Sequence, residues 1–303
     1  MSLIDAAGHR VSGATPESLG LYEQAANELL CLVDDPVATV DRALAASPEM
    51  TMAHLLKAWL HLLGTEPAGI AVAAECCAAA AALPADERER AHLAAAQALA
   101  AGRWQEAGLR LEDLSLRWPR DSLALQAGHQ IDFFRGDSRM LRDRIARALP
   151  AGDAAIAGYH GVLGMHAFGL EETGDYAQAE AQGRRAVELQ PRDSWAWHAV
   201  AHVAEMRHAP LEGIAWLRPN RARWSTGSFL GVHNTWHLAL FELELDGHDE
   251  ALRLYDEAIG GSGLPQVLDL IDASAMLCRL PLRGVDVGAR GGPVADRWAE
   301  VAG

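Results

Sequence analysis

His198 and His202, and again His233 and His237, stand four residues apart in stretches with helical patterning. Residues at that spacing share a helix face, with Cβ atoms roughly 5–6 Å apart, so each pair presents two imidazoles side by side. Imidazole exchanges protons near neutral pH and is the commonest metal ligand. Two chemistries are therefore open to such pairs: acid–base catalysis, or retention of a transition metal such as zinc at about 2.0–2.1 Å. Glu205 follows the first pair and Glu244 the second, with Trp195, Asn234 and Trp236 interspersed. Tyr159, His160, His166 and Glu171 form a further polar group upstream. Five of the nine tryptophans fall between Trp195 and Trp236, which predicts aromatic faces among the imidazoles.

The same residues support three readings. In the first, the histidines are ordinary polar members of packed helices, each hydrogen-bonded to a neighbour. In the second, they line a pocket for a polar or cationic small molecule or a peptide, where each aromatic face adds about 0.5–2 kcal/mol of cation–π attraction. In the third the pocket is catalytic: His198, His202, Glu205, His233 and His237 act as acid–base groups, or the four histidines hold a metal. The pattern is not the His-Glu-x-x-His signature, since Ala199 follows His198, and it lacks the Glu-x-x-His pairs of di-iron bundles.

Other chemistries find no support. Gly161 to Gly169 holds three glycines in a helical pattern with no strand before it, so no dinucleotide fingerprint and no nucleotide cofactor are expected. There is no Gly-x-Ser-x-Gly elbow and no phosphate loop. His54, His61, His92 and His129 stand singly and are expected to be satisfied locally. Asp86 to Arg90 reads as a solvated helix start, and Cys278 as a core thiol.

The elements that must position the histidines are helices. Half of the 303 residues are hydrophobic, Ala and Leu dominate, and Lys57 is the only lysine. A formal charge of −15 argues against nucleic acid as a partner, because phosphate is bound by basic surfaces. The segment Met1 to Gly13 lacks the apolar core of a secretion signal, and Ile70 to Leu83, interrupted by Glu75, is too short to cross a membrane. Cys31, Cys76, Cys77 and Cys278 have no zinc or disulfide spacing, which suits reduced thiols in the cytoplasm. The partner predicted is thus a small-molecule or peptide ligand, with no nucleic acid, no membrane and the oligomeric state left open.

An internal repeat sets the architecture. Gly102-Arg-Trp-Gln-Glu-Ala107 leads to Pro119, Gly174-Asp-Tyr-Ala-Gln-Ala179 leads to Pro191, and Gly247-His-Asp-Glu-Ala251 opens a third copy. Ala107, Ala179 and Ala251 are spaced by 72 residues, about twice the period of roughly 34 residues of the tetratricopeptide repeat. Each 72-residue unit therefore holds one well-marked and one degenerate helical hairpin, the latter near 51–84, 122–150 and 194–228. Glycine relieves the turn, the small alanine lets the second helix approach the first, and proline opens the next unit. The fold predicted is all-α: tandem hairpins of tetratricopeptide type over 1–303 as a single domain, forming a curved right-handed superhelix. Residues 10–17 are expected to be an N-terminal loop. Gly260-Gly-Ser262-Gly263 and Gly288 to Pro293 are read as further loops, and no sheet is expected.

Several segments resemble the tetratricopeptide repeat protein 38 family: Phe168-Gly-Leu-Glu-Glu-Thr, Trp197-His-Ala-Val-Ala-His-Val-Ala-Glu-Met206, His233-Asn-Thr-Trp-His-Leu-Ala-Leu240, Asp269-Leu-Ile-Asp-Ala-Ser-Ala-Met-Leu-Cys-Arg-Leu280 and Gly284-Val-Asp-Val-Gly288. The resemblance covers essentially the whole chain and implies a fold rather than a reaction. It also implies a C-terminus shortened relative to the family. Placed on the concave positions of tetratricopeptide helices generally, Trp195, His198, His202 and Glu205 fall on one groove-lining helix. His233, Trp236, His237 and Glu244 fall on the next.

Overall fold

The computed structural model describes residues 3–261, 263–264 and 266–302; Met1, Ser262 and Gly303, named above, lie outside the described residues. It divides into two compact units, 1–196 and 197–303. The first unit opens with a two-residue antiparallel ladder, β1 (Leu3–Ile4) with β2 (Arg10–Val11), and continues through α1 (Pro16–Cys31), α2 (Pro36–Ala46), α3 (Thr51–Leu63), α4 (Pro67–Ala81), α5 (Glu87–Ala100), α6 (Trp104–Arg117), α7 (Ser122–Phe134), α8 (Ser138–Ala148), α9 (Tyr159–Glu171) and α10 (Tyr176–Leu189). Helix α11 (Ser194–Met206) carries the chain into the second unit. There follow α12 (Pro210–Leu217), α13 (Arg221–Ser225), α14 (Gly231–Glu244), α15 (His248–Leu254), α16 (Val267–Leu282) and α17 (Gly291–Ala302). Among the described residues no helix is long and apolar enough to cross a membrane.

Successive helices pack as hairpins: α1 with α2, α3 with α4, α5 with α6, α7 with α8 and α9 with α10 in the first unit, and α14 with α15 and α16 with α17 in the second. The turn chemistry is local. Gly136 and Gly174 take positive φ (68° and 85°), and the aspartate that follows each, Asp137 or Asp175, accepts a hydrogen bond from a first-turn amide of the next helix. The third copy inverts the order. Asp246 takes the positive φ (57°), whereas Gly247 has φ −77° and is needed for space, since a Cβ there would lie 3.0 Å from the Glu242 carbonyl oxygen. The degenerate hairpins turn at Thr65, Gly136 and His208, two of them with a side chain in the left-handed region. Ala107, Ala179 and Ala251 are all fully buried, as a close approach of the paired helices demands.

Three local expectations are corrected. The N-terminal residues are not free of strand: Asp5 accepts backbone hydrogen bonds from Ala7 and His9 through Oδ1, closing a turn that pairs Arg10 and Val11 with Ile4 and Leu3. The glycines after residue 287 do not make an open loop. Gly288–Arg290 is a 3₁₀ turn, and α17 starts at Gly291, ahead of Pro293, which sits in the helix's first turn where its missing N–H has no cost. The charged run 86–90 is not simply solvated. Asp86 and Glu89 form a reciprocal N-terminal cap, and Arg88 and Glu89 are buried because Arg88 reaches Asp121 at 2.7 Å while Glu89 also takes the Ser12 amide at 2.8 Å.

Close packing of α9 on α8 depends on Gly169. A Cβ there would fall 2.6 Å from the Cα and N of Arg142 and 2.7 Å from the Leu141 carbonyl carbon, all backbone atoms that cannot rotate away. Gly169→Ala is expected to destabilise the first unit by about 1–3 kcal/mol, the usual cost of overpacking. A melting curve of the variant that overlays the wild type would contradict this packing.

Candidate functional site

Helix α11 starts at an aspartate cap, Asp193 Oδ1 accepting from the Ala196 amide at 3.0 Å. The start register puts His198 and His202 one turn apart, with Glu205 a further turn on. Helix α14 does the same for His233 and His237. Within the second unit the two helices bring all four imidazoles together, with one ring nitrogen from each lying within 4.8 Å of the others. Ring centroids are 4.2 Å apart for His198–His202, 4.8 Å for His198–His233, 4.7 Å for His202–His237 and 4.8 Å for His233–His237. His198 and His237 are buried, while His202 and His233 are half-buried.

Two carboxylates hold the cluster from behind. His233 Nδ1 lies 2.8 Å from Asp272 Oδ2, on α16, and His237 Nδ1 lies 2.7 Å from Glu205 Oε2. A carboxylate at Nδ1 fixes the ring's orientation and its tautomer, with the proton on Nδ1 and the lone pair on Nε2. The Nε2 atoms face inward: His233 Nε2 is 3.0 Å from His198 Nε2 and 3.2 Å from His237 Nε2. Burial, followed by the neighbouring imidazoles, pushes the pKa values of His198 and His237 well below the usual histidine value, so both rings are neutral at physiological pH. Chemically, the arrangement offers inward-facing nitrogen donors, two of them with their outer nitrogens already engaged, and it is a group that could hold a metal ion.

The aromatic surroundings are thinner than expected. Trp236 lies nearly parallel to His233, at 13° and 5.5 Å, meets His237 edge-on at 5.1 Å, and carries the Arg279 guanidinium 5.2 Å above its ring. Trp197 instead pairs with Trp216 at 4.1 Å, and the Trp224 indole donates to the Leu217 carbonyl from a fully buried position. Trp195 belongs to the first unit, where it packs on Phe168 (4.6 Å) and His129 (5.8 Å). Tyr159, also in the first unit, covers Gly152. There too His160 is engaged by Asp193 and Asn27, and His166 by Gln182. Asn234 is buried beside His233, and Glu244 is exposed two turns beyond His237. The indoles are drawn into cores because each buries a large apolar area, which outweighs their use as ligand faces.

One site residue escaped sequence reasoning. Asp272 stands on the buried face of α16, and its signal was an acid, like Asp269, at a core position of a largely apolar helix; buried acids of this kind are rare unless paired. Cys278 on the same helix is exposed, contrary to the core position expected, because α16 turns Ala273, Met276 and Leu280 inward instead.

No protein-family model matches the sequence. A solved structure of a tetratricopeptide repeat protein from Parabacteroides merdae is similar to this chain, with a TM-score of 0.50 and 13% identity over 85% of this chain and 99% of that one. At this identity the likeness concerns the fold. The chain has a tetratricopeptide-like helical-repeat fold.

Proposed function

We propose that this chain is a helical-repeat binding protein whose working site is the imidazole cluster of the second unit, where a small molecule or peptide is captured. The observation that carries the reading is the convergence of four imidazoles, two half-buried, with Trp236 beside them. His92 and His160 are each bonded to an aspartate, as His233 and His237 are to Asp272 and Glu205, but in the cluster the Nε2 atoms of His198, His233 and His237 also meet one another at 3.0 and 3.2 Å. Clusters of perturbed titratable groups gather at functional sites, and His198 and His237 are both perturbed here. The resemblance to the tetratricopeptide repeat protein 38 family belongs to this reading, as does a reducing, cytoplasmic setting, which the free buried thiols Cys31, Cys76 and Cys77 support.

A specific observation favours a second reading, catalysis. Asp272 with His233, and Glu205 with His237, are carboxylate–imidazole pairs of the kind that orient a general base. Both readings meet one test. The double variant His202→Ala/His233→Ala removes the two half-buried rings and is expected to leave the helical circular dichroism intact. Small molecules released on denaturing the wild type are expected to be missing from the variant by untargeted mass spectrometry. Identical extracts from both, together with a collapsed melting transition in the variant, would assign these histidines to packing.

A further inference from the structure

Two nitrogen atoms of the cluster, Nε2 of His233 and Nε2 of His237, cannot satisfy each other as neutral rings. Asp272 and Glu205 accept from Nδ1 of His233 and His237, so in the neutral rings both Nε2 atoms carry lone pairs. His198 can relieve one contact by donating an Nε2 proton across 3.0 Å to His233 Nε2. The contact of His233 Nε2 with His237 Nε2 at 3.2 Å then remains, lone pair against lone pair, in a largely buried place. No choice of neutral tautomers removes it while both carboxylate contacts are kept. A single cation placed among the four rings removes every such contact at once.

We propose that His198, His202, His233 and His237 are the ligands of one divalent transition-metal ion, of which zinc is the representative. The inference deepens the proposed function and rests on that reading of the cluster as a working site. Four further features support it. The donors are of the right kind: four imidazole nitrogens suit zinc, copper, nickel or iron and are poor ligands for magnesium or calcium. The spacing suits the two contacts that join His198, His233 and His237, and all four donor atoms lie within 4.8 Å of one another. Ligands about 2.0–2.1 Å from a tetrahedral ion are about 3.3–3.4 Å from each other, beside the 3.0 and 3.2 Å observed. The outer shell is complete for two ligands, because metal-bound imidazole characteristically gives its other N–H to a carboxylate. The charges also balance: four neutral imidazoles leave the ion's two positive charges intact, and Asp272 and Glu205 supply two negative ones at the rings' outer nitrogens.

The site would join three helices that are distant in sequence. Two ligands come from α11, two from α14, and Asp272 reaches His233 from α16. Glu205 and Asp272 are positioning residues in this scheme, since they touch ligands and not the ion. Their removal should weaken the site by misplacing rings that remain present.

The experiment uses the full chain, stripped with a chelator and desalted, then titrated with zinc alone against a chromophoric chelator. Cobalt alone serves as a spectroscopic probe in a parallel titration. The wild type is expected to take up one equivalent of either ion and, with cobalt, to develop the visible ligand-field bands of a four-coordinate site. His198→Ala and His233→Ala should lose stoichiometric uptake. Glu205→Gln and Asp272→Asn keep all four imidazoles and should bind about 10–100-fold more weakly. Asp272→Glu should recover part of the loss, which a merely loosened helix would not. His54→Ala, distant in sequence and bonded to the Pro48 carbonyl, should bind like the wild type. Uptake of less than half an equivalent by a helical wild type would overturn the assignment. So would equal affinity in the wild type and in the His198→Ala and His233→Ala variants. Stoichiometric zinc with no organic ligand in the extracts would leave the metal assignment standing and remove the binding-protein reading. A retained organic ligand with no metal uptake would do the reverse.

Discussion

Asp121→Ala is expected to lower the stability of the first unit by about 3–5 kcal/mol, the range for removing one partner of a buried ion pair. Asp121 sits at the start of α7 and serves three donors. Oδ2 accepts from Arg88 Nη1 at 2.7 Å and lies 2.9 Å from His92 Nε2, and Oδ1 accepts from the Ala124 amide at 3.0 Å. The network extends further on both sides, His92 Nδ1 accepting from the Trp59 indole and Arg88 donating to the Arg10 carbonyl. Arg88, His92 and Asp121 are all buried. Burial opposes the charge on Asp121, but His92 and Arg88 prevail and hold its carboxyl well below the usual carboxylate range. The folded-state pKa is therefore depressed. The resulting stability is present above the unfolded-state value near pH 4 and is lost as the pH falls through and below it. The alanine variant strands a buried guanidinium and removes a helix cap together. Urea denaturation followed by circular dichroism measures the loss, and a difference of less than 1 kcal/mol would show that the carboxylate is not bearing the buried charge.

Acid should weaken the first unit by a second route, through His129. This ring is fully buried in α7, edge-on to Phe168 at 6.0 Å and Trp195 at 5.8 Å. Burial pushes its pKa down to about 3, against a smaller pull from the nearby Leu141 backbone and with help from Arg144 and His166. In the unfolded chain the ring titrates near 6.5. Below that pH the unfolded state takes up a proton that the folded ring refuses, so stability is full above pH 6.5 and falls as the pH is lowered. The slope approaches about 1.4 kcal/mol per pH unit and persists to about pH 3, a total on the order of 5 kcal/mol. His129→Phe keeps a flat aromatic ring and removes the titration. Its unfolding free energy is expected to vary less steeply than the wild type's between pH 6.5 and 4. Parallel profiles for the two proteins would mean that the ring is not held neutral by the fold.

Both predictions involve side chains whose roles a linear reading misjudged, Arg88 beside Asp121 and His129 itself, and the physical reason is shared. Asp86 to Arg90 carries five charges in five residues, a composition that in isolation means a solvated helix start. Arg88 is buried only because Asp121, 33 residues away, meets it at 2.7 Å and offsets the cost of desolvation. His129 was expected to be satisfied locally, yet its surroundings come from α9 and from Trp195, far along the chain. Conversely, Cys278 looks like core by residue type, but α16 packs through the face that bears Met276 and Leu280.

What the amino-acid order alone determined is the part of the structure with short range. Alanine and leucine content made the chain helical, glycine–aspartate pairs at 136–137 and 174–175 made the turns and caps, and three alanines spaced by 72 residues marked where paired helices touch. The i,i+4 histidine pairs are of the same kind, since 3.6 residues per turn put each pair on one face wherever the helix ends up. Tertiary structure decided the rest. It chose Asp246 over Gly247 for the left-handed turn, and it withdrew Trp197 and Trp224 into cores, with the half-buried Trp216 packed on Trp197. It also set His233 within 3.0 Å of His198 and brought Asp272 from 39 residues away to its outer nitrogen. Local periodicity specifies the face on which a side chain stands. Which faces meet is settled by apolar burial summed over whole helices, a quantity that no single motif contains.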